Sequence, residues 1–163
     1  MVTYGAAMSW WRRHSGGTSA TCPLLIATMA APLGLLPGFG VDPAVMRRTL
    51  DAVAATWDWD AQSWGWDYPM LAMTAARLGD PDLAVDLLLK DGPNNAYMPN
   101  GHCPQPSADL AVYLPANGAL LSAVAMMAKG WDGAPEGPAP GFPRDGSWSV
   151  SCGCWPPSWR QPP

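Results

Sequence analysis

WDWDAQSWGWDYPMLAMTAARLG, residues Trp57 to Gly79, decides how this chain is to be read. Its first eleven residues hold four tryptophans (Trp57, Trp59, Trp64, Trp66) and three aspartates (Asp58, Asp60, Asp67). Connecting loops run mainly on Gly, Asn, Ser and Pro, so a loop of this composition is either a buried plug or a binding surface. The rest of the stretch, from Pro69, is apolar on most of its circumference and reads as a buried helix.

Outward from this stretch, the same grammar recurs. Upstream, PLLIATMAAPLG (Pro23 to Gly34) aligns with PMLAMTAARLG (Pro69 to Gly79) through Pro23/Pro69, Leu25/Leu71, Thr28/Thr74 and Ala30/Ala76. Each apolar segment is followed by an Asp-Pro pair, Asp42-Pro43 and Asp80-Pro81. Asp is a preferred N-cap, and Pro is tolerated in the first helical turn, where its missing N–H costs nothing. In the helix after Asp42, residues Val45, Met46, Leu50, Val53 and Ala54 share one face, which leaves Arg47, Arg48 and Asp51 towards water. Gly92 reads as the C-cap of the helix after Asp80, and Asn117 precedes a third apolar segment, GALLSAVAMMAKG. The expectation is an all-α chain of repeated helical hairpins, with helices near 23–34, 43–56, 69–79, 81–91 and 118–129, the first, third and fifth being the more buried. Residues 1–21 read as a poorly ordered lead-in, 22–148 as the hairpin domain and 149–163 as a Pro-rich coil tail.

The links alternate in character. Those from an apolar helix to its amphipathic partner are short, whereas those leading to the next apolar helix are long and rich in aromatic, amide and acidic residues. In side-by-side hairpins the loaded links fall on one rim, and residues that bind ligands collect on loops held by a rigid scaffold.

Composition narrows the chemistry. Net charge is −4 with 9 Lys and Arg, too few to neutralise a phosphate backbone, so nucleic acid is not expected as a partner. Of the 13 acidic residues only Glu136 is a glutamate, so carboxylate chemistry here is aspartate chemistry. Cys22, Cys103, Cys152 and Cys154 lack the paired spacing of a zinc site and read as free thiols or one incidental disulfide; no metal or cofactor is expected. Arg12-Arg13 ahead of the apolar run Cys22 to Leu36 gives no clear signal peptide, and the chain is compatible with either a cytoplasmic or a secreted location. No apolar run reaches transmembrane length, so no membrane partner is expected.

Aromatic faces interleaved with carboxylates and amides suit a carbohydrate, since rings cover its C–H faces while Asp and Asn bond its hydroxyls. The candidates are Asp58 and Asp60 as an acid/base couple, with Trp59, Trp64, Trp66, Asp67, Asn95, Tyr97, Asn100, His102, Tyr113 and Asn117 as binding residues; Trp57 and Asn94 lie beside them. Each has a plainer reading. Asp58 and Asp60 straddle a Trp and in an extended loop point the same way, either as a like-charge pair with one raised pKa or as two solvated acids. Asp67 and Asn117 are equally placed to cap the helices that follow them. Trp57 and Trp66 flank helices and suit core packing, His102 follows the turn pair Asn100-Gly101, and Met70, Met73, Met126 and Met127 read as core.

The phrases WDWDAQSWGWDYPMLAMTAARLG, NAYMPNGH, YLPANGALLSAVAMM and GWDG, between about Leu35 and Trp148, resemble the C-terminal part of the catalytic domain of bacterial six-hairpin, or (α/α)6-toroid, glycoside hydrolases, near family 65 and the related α-L-fucosidases. The resemblance implies inner helices whose preceding loops build a sugar site, and an oligosaccharide substrate cleaved by carboxylate acid/base hydrolysis. Such a toroid has about twelve helices; five are expected here, giving an open half-ring, a fragment inactive by itself, and self-association through an exposed apolar face. A non-catalytic carbohydrate-binding or protein-binding helical repeat is the alternative.

Overall fold

The computed structural model describes residues 29–106 and 110–149. Among them the chain is all-helical, with helices α1 (Pro43–Thr56), α2 (Asp67–Arg77), α3 (Pro81–Leu88) and α4 (Leu114–Lys129) and no strand. None of these helices is long and apolar enough to cross a membrane. The lead-in, residues 23–28 of the first expected helix, and the tail from residue 150 onward lie outside the described residues.

Helix α2 is the centre. From Asp67 to Ala76 every residue is buried, and α1, α3 and α4 all pack on it. Leu71, Ala72 and Ala75 are fully enclosed, and Met70 and Met73 are nearly so. Small alanines beside flexible methionines let three helices approach one cylinder, and each large side chain so buried contributes about 1.5–3 kcal/mol. The segment 29–36 covers part of α2 as a series of turns where a helix was expected. Its chain lies so close that a Cβ on Gly34 would stand 2.7 Å from the Met70 carbonyl oxygen. Thr74 Oγ1 donates to the Ala30 carbonyl (3.1 Å) and Arg77 Nε to that of Gly34 (3.1 Å), so α2 itself supplies hydrogen bonds that these turns need.

The α2–α3 link is as tight as its sequence implied. Gly79 has φ +78°, its N–H donates to the Ala76 carbonyl, and the Asp80 N–H reaches back to Ala75. This Schellman arrangement satisfies the last carbonyls of α2 and turns the chain within three residues. Asp80 then caps α3 through Oδ1 to the Leu83 N–H (3.1 Å), while its Oδ2 takes Arg47 Nη1 of α1 at 2.8 Å. Arg47, expected towards water, is therefore partly buried as a clasp between α1 and α3. At α1, Asp42 caps the Ala44 and Val45 N–H groups, and Met46, Leu50 and Val53 form the buried face.

Three helix boundaries differ from expectation. Helix α3 stops at Leu88 instead of near residue 91, because Asn95 Nδ2 takes the carbonyls of Leu88 (3.1 Å) and Lys90 (2.9 Å); Gly92, which lacks a positive φ, is not its cap. Helix α2 begins at Asp67, two residues early, and α4 begins at Leu114, ahead of Asn117, with a proline in its first turn. Nor is α4 buried as its composition implied. Ala116, Ala123 and Met127 face the core, whereas Leu114 and Leu121 are each 70% exposed and Val124 lies open beside them.

Asp80→Ala removes a cap and leaves Arg47 without its closest carboxylate, and is expected to cost about 1–3 kcal/mol in urea unfolding. In Arg47→Ala the pair is lost but the cap remains, so that variant is expected to lose less than about 1 kcal/mol, and a double-mutant cycle separates the two contributions.

Candidate functional site

Between α1 and α2 the Trp/Asp-rich loop is wound inward by its own side chains. The Trp57 N–H closes α1 on the Val53 carbonyl, and the indole is buried with its Nε1 lacking a partner. Trp59 packs between the rings of Trp57 (5.4 Å between centroids) and Tyr68 (5.0 Å), with Lys90 Nζ 5.1 Å from its ring centre. Trp59 is thus half-buried among neighbours from its own chain. Asp58 builds the next turn: its Oδ1 accepts the Ala61 N–H (3.1 Å) and its carbonyl accepts the Gln62 N–H (2.9 Å). That turn replaces the extended backbone that would have set Asp58 and Asp60 side by side. Asp58 is spent on loop geometry, while Asp60 stands exposed on the rim of a cleft.

Two buried amides join this loop to the chain beyond α3. Asn94 Nδ2 lies within reach of the carbonyls of Trp59 (3.4 Å) and Asp60 (3.2 Å) and of Ser63 Oγ (3.3 Å). Ser63 Oγ donates to the Trp59 carbonyl and also bonds the Tyr68 hydroxyl at 2.9 Å. Gln105 Oε1 accepts the Gly65 N–H (3.0 Å), and its Nε2 donates to the carbonyls of Asn94 (3.3 Å) and Pro104 (3.2 Å). At the crossing Gly65 is needed for close approach, since a Cβ there would lie 2.7 Å from that of Ala116 and 2.8 Å from the Asn94 carbonyl oxygen. The two loaded links therefore meet where α2 and α4 begin, at the end of α2 opposite its tight link to α3. They enclose a cleft of about 340 Å3 lined by Asp60, Ala61, Gln62, Ser63, Trp64, Asn94, Gln105 and Pro106.

Of the expected site residues, Asp60 and Trp64 line this cleft. Trp64 leans on Tyr113, their rings 5.4 Å apart at 38°, so a residue just ahead of α4 backs the indole. The remaining candidates are used elsewhere. Asn95 holds the end of α3, and Tyr97 donates its hydroxyl to the Ala116 carbonyl (3.2 Å) with burial pushing the phenol well above its ordinary range. Asn100 and His102 form an exposed turn in which Asn100 Oδ1 accepts the His102 N–H (3.0 Å). Trp66 is half-buried against the core at the start of α2. Asn117 lies inside α4 and caps nothing; its Nδ2 donates to the Gly101 carbonyl at 2.8 Å, leaving Oδ1 buried without a partner. Gln105 escaped the sequence reading, because nothing local distinguishes it from the polar residues around it. Cys103 is a free, buried thiol, and among the described residues no three His, Cys, Asp or Glu side chains cluster as metal ligands would.

Asp67 is the unusual group. Instead of capping α2 it is the first residue of that helix, 1% exposed, with Oδ2 turned back onto the Trp64 N–H (2.7 Å) and Oδ1 without a partner. Loss of hydration on burial pushes its pKa up to about 7, against a smaller opposing pull from the Trp64 N–H. Between about pH 4 and 7 an unfolded Asp67 has lost its proton while the folded one keeps it, so stability is greatest on the acid side and falls as pH rises through this window. The loss is expected to be on the order of 4 kcal/mol. Urea midpoints measured from pH 4 to 8 should show this contribution in the wild type, and Asp67→Asn, which cannot ionise, should lack it.

Compared with protein-family models, curated proteins and solved structures, this chain matches none.

Proposed function

We propose that this chain handles an oligosaccharide, as the sugar-binding part of an (α/α)-toroid glycoside hydrolase of which it forms an open partial ring. The observation that carries the proposal is the convergence of the two loaded links on a cleft offering an indole, an exposed carboxylate and several amides. A sugar ring is held when stacking on its C–H face coincides with hydrogen bonds to its edge, and Trp64 beside Asp60 and Gln62 meets both needs. In acid/base hydrolysis Asp60 is the carboxylate placed to exchange a proton with bound sugar or water, with Trp64, backed by Tyr113, as the platform. The sequence resemblance to six-hairpin hydrolases supports the same substrate class.

A second reading, a carbohydrate-binding module without turnover, is favoured by one feature. Glycoside hydrolysis generally needs two carboxyl groups across the scissile bond, and Asp60 is the one carboxylate among the described residues lining the cleft.

Calorimetric titration of the whole chain with a panel of oligosaccharides tests the proposal. A saturable heat with at least one sugar is expected, and Trp64→Ala should weaken binding by about 1–3 kcal/mol with helix content unchanged. Asp60→Asn should keep most of the affinity and abolish any hydrolysis, because an amide retains the shape without accepting the proton. Hydrolysis by the wild type excludes the module. No heat with any sugar overturns both readings.

A further inference from the structure

Asp67 combines three features at the entry to α2. Its side chain is enclosed at the start of the central helix, one carboxyl oxygen holds the backbone N–H of a cleft-lining tryptophan, and the other oxygen has no donor. A helix as buried as α2 would be served by an apolar residue here, and an N-cap would turn its oxygen towards the N–H groups of the following residues. The carboxyl points back across three residues to Trp64, whose carbonyl accepts the Asp67 N–H (2.9 Å) to close the turn entering α2, and whose ring leans on Tyr113 at the start of α4.

We propose that Asp67 is a proton-operated latch on the cleft wall: it seats Trp64 through the backbone N–H, and gain or loss of one proton at its enclosed carboxyl sets how firmly that wall is held. In the protonated state the group is neutral, an oxygen without a donor costs little, and the loop rests closed on α2. Deprotonation places a full charge beside a single backbone donor, and a buried charge calls for further donors. Water supplies them once residues 64–67 lift away from Tyr113. The ionisable groups that feel this charge are Tyr68 on the same helix and Tyr113 beside α4, both pushed above the ordinary phenol value chiefly by burial. Among the described residues no cation contributes to the shift at Asp67, so none of them offsets the charge. The raised value near 7 places the change within the neutral range. Asp67 thereby acts on the cleft through Trp64 as a positioning residue; its effect on ligand rests on the sugar-cleft proposal above, but the latch itself is read without any sugar.

The test is nuclear magnetic resonance of the isotope-labelled full chain from pH 5.5 to 8.5, following the Asp67 carboxyl carbon and the Trp64 amide proton. Both should shift together with one midpoint near 7. Above it, protection of the Trp64 amide, corrected for base-catalysed exchange, should fall by about tenfold or more as the loop opens. In Asp67→Asn, where the amide stands permanently for the neutral acid, the Trp64 step should vanish. A carboxyl midpoint below 5, a Trp64 amide indifferent to the carboxyl titration, or a Trp64 step that persists in Asp67→Asn would each overturn the latch. The wild-type titration decides by itself if the variant fails to fold. Sugar titrations at pH 6 and 8 form a separate arm, whose failure would count against the cleft as a sugar site while leaving the latch intact.

Discussion

Complete burial of α2 is the constraint from which the other arrangements follow. A helix enclosed on every side has no face left for water, so its polar groups and those of the chain lying on it must be satisfied internally. Thr74 and Arg77 do this on one side by donating to the carbonyls of Ala30 and Gly34. At its C-terminus the Gly79 turn closes the helix on itself and sends α3 back along it. At its N-terminus the Trp64 and Asp67 pair closes one turn, and the rest of the incoming loop is held by groups from further along the chain.

Those groups are Asn94 and Gln105. Between them they bond the carbonyls of Trp59 and Asp60 and the N–H of Gly65, so a loop already wound by its own hydrogen bonds is tied to the chain beyond α3. The same amides line the cleft, which makes its shape a by-product of anchoring the loop. Binding groups placed on this wall inherit its rigidity, which lowers the entropy lost when a ligand orders them. Asp67 belongs to the same end of α2 but differs in kind, being a charge-capable group enclosed where an uncharged one would be more stable.

Around α4 the balance differs. Its buried side is a narrow line of Ala116, Ala123 and Met127 on the core, and its opposite side carries Leu114, Leu121 and Val124 into solvent. The sequence between Leu114 and Ala128 is uncharged throughout, which describes the composition of a buried helix without locating its partners. Apolar composition records that a helix suits burial, whereas the burial it receives depends on how many elements reach it.

The part of the fold legible from the residues is the part that local rules govern. Asp42-Pro43 and Asp80-Pro81 start their helices because a cap acts within three residues, Gly79 ends α2 because only a left-handed residue makes that turn cheaply, and the apolar circumference of 69–79 announces a central helix. The aromatic and acidic loading of residues 57–67 was equally visible, and with it the location of the cleft. Tertiary structure alone decided which acid carries which role. Asp58, Asp60 and Asp67 are the same side chain within ten residues, yet one folds a turn, one faces the cleft and one is enclosed with a pKa near 7. Likewise Asn95 and Asn117 were legible as polar but not as spent on the carbonyls of Leu88, Lys90 and Gly101. The contacts that shape the cleft wall, Trp64 on Tyr113 and Gly65 on Gln105, join residues forty or more positions apart, and no pattern within a single helix or loop records them.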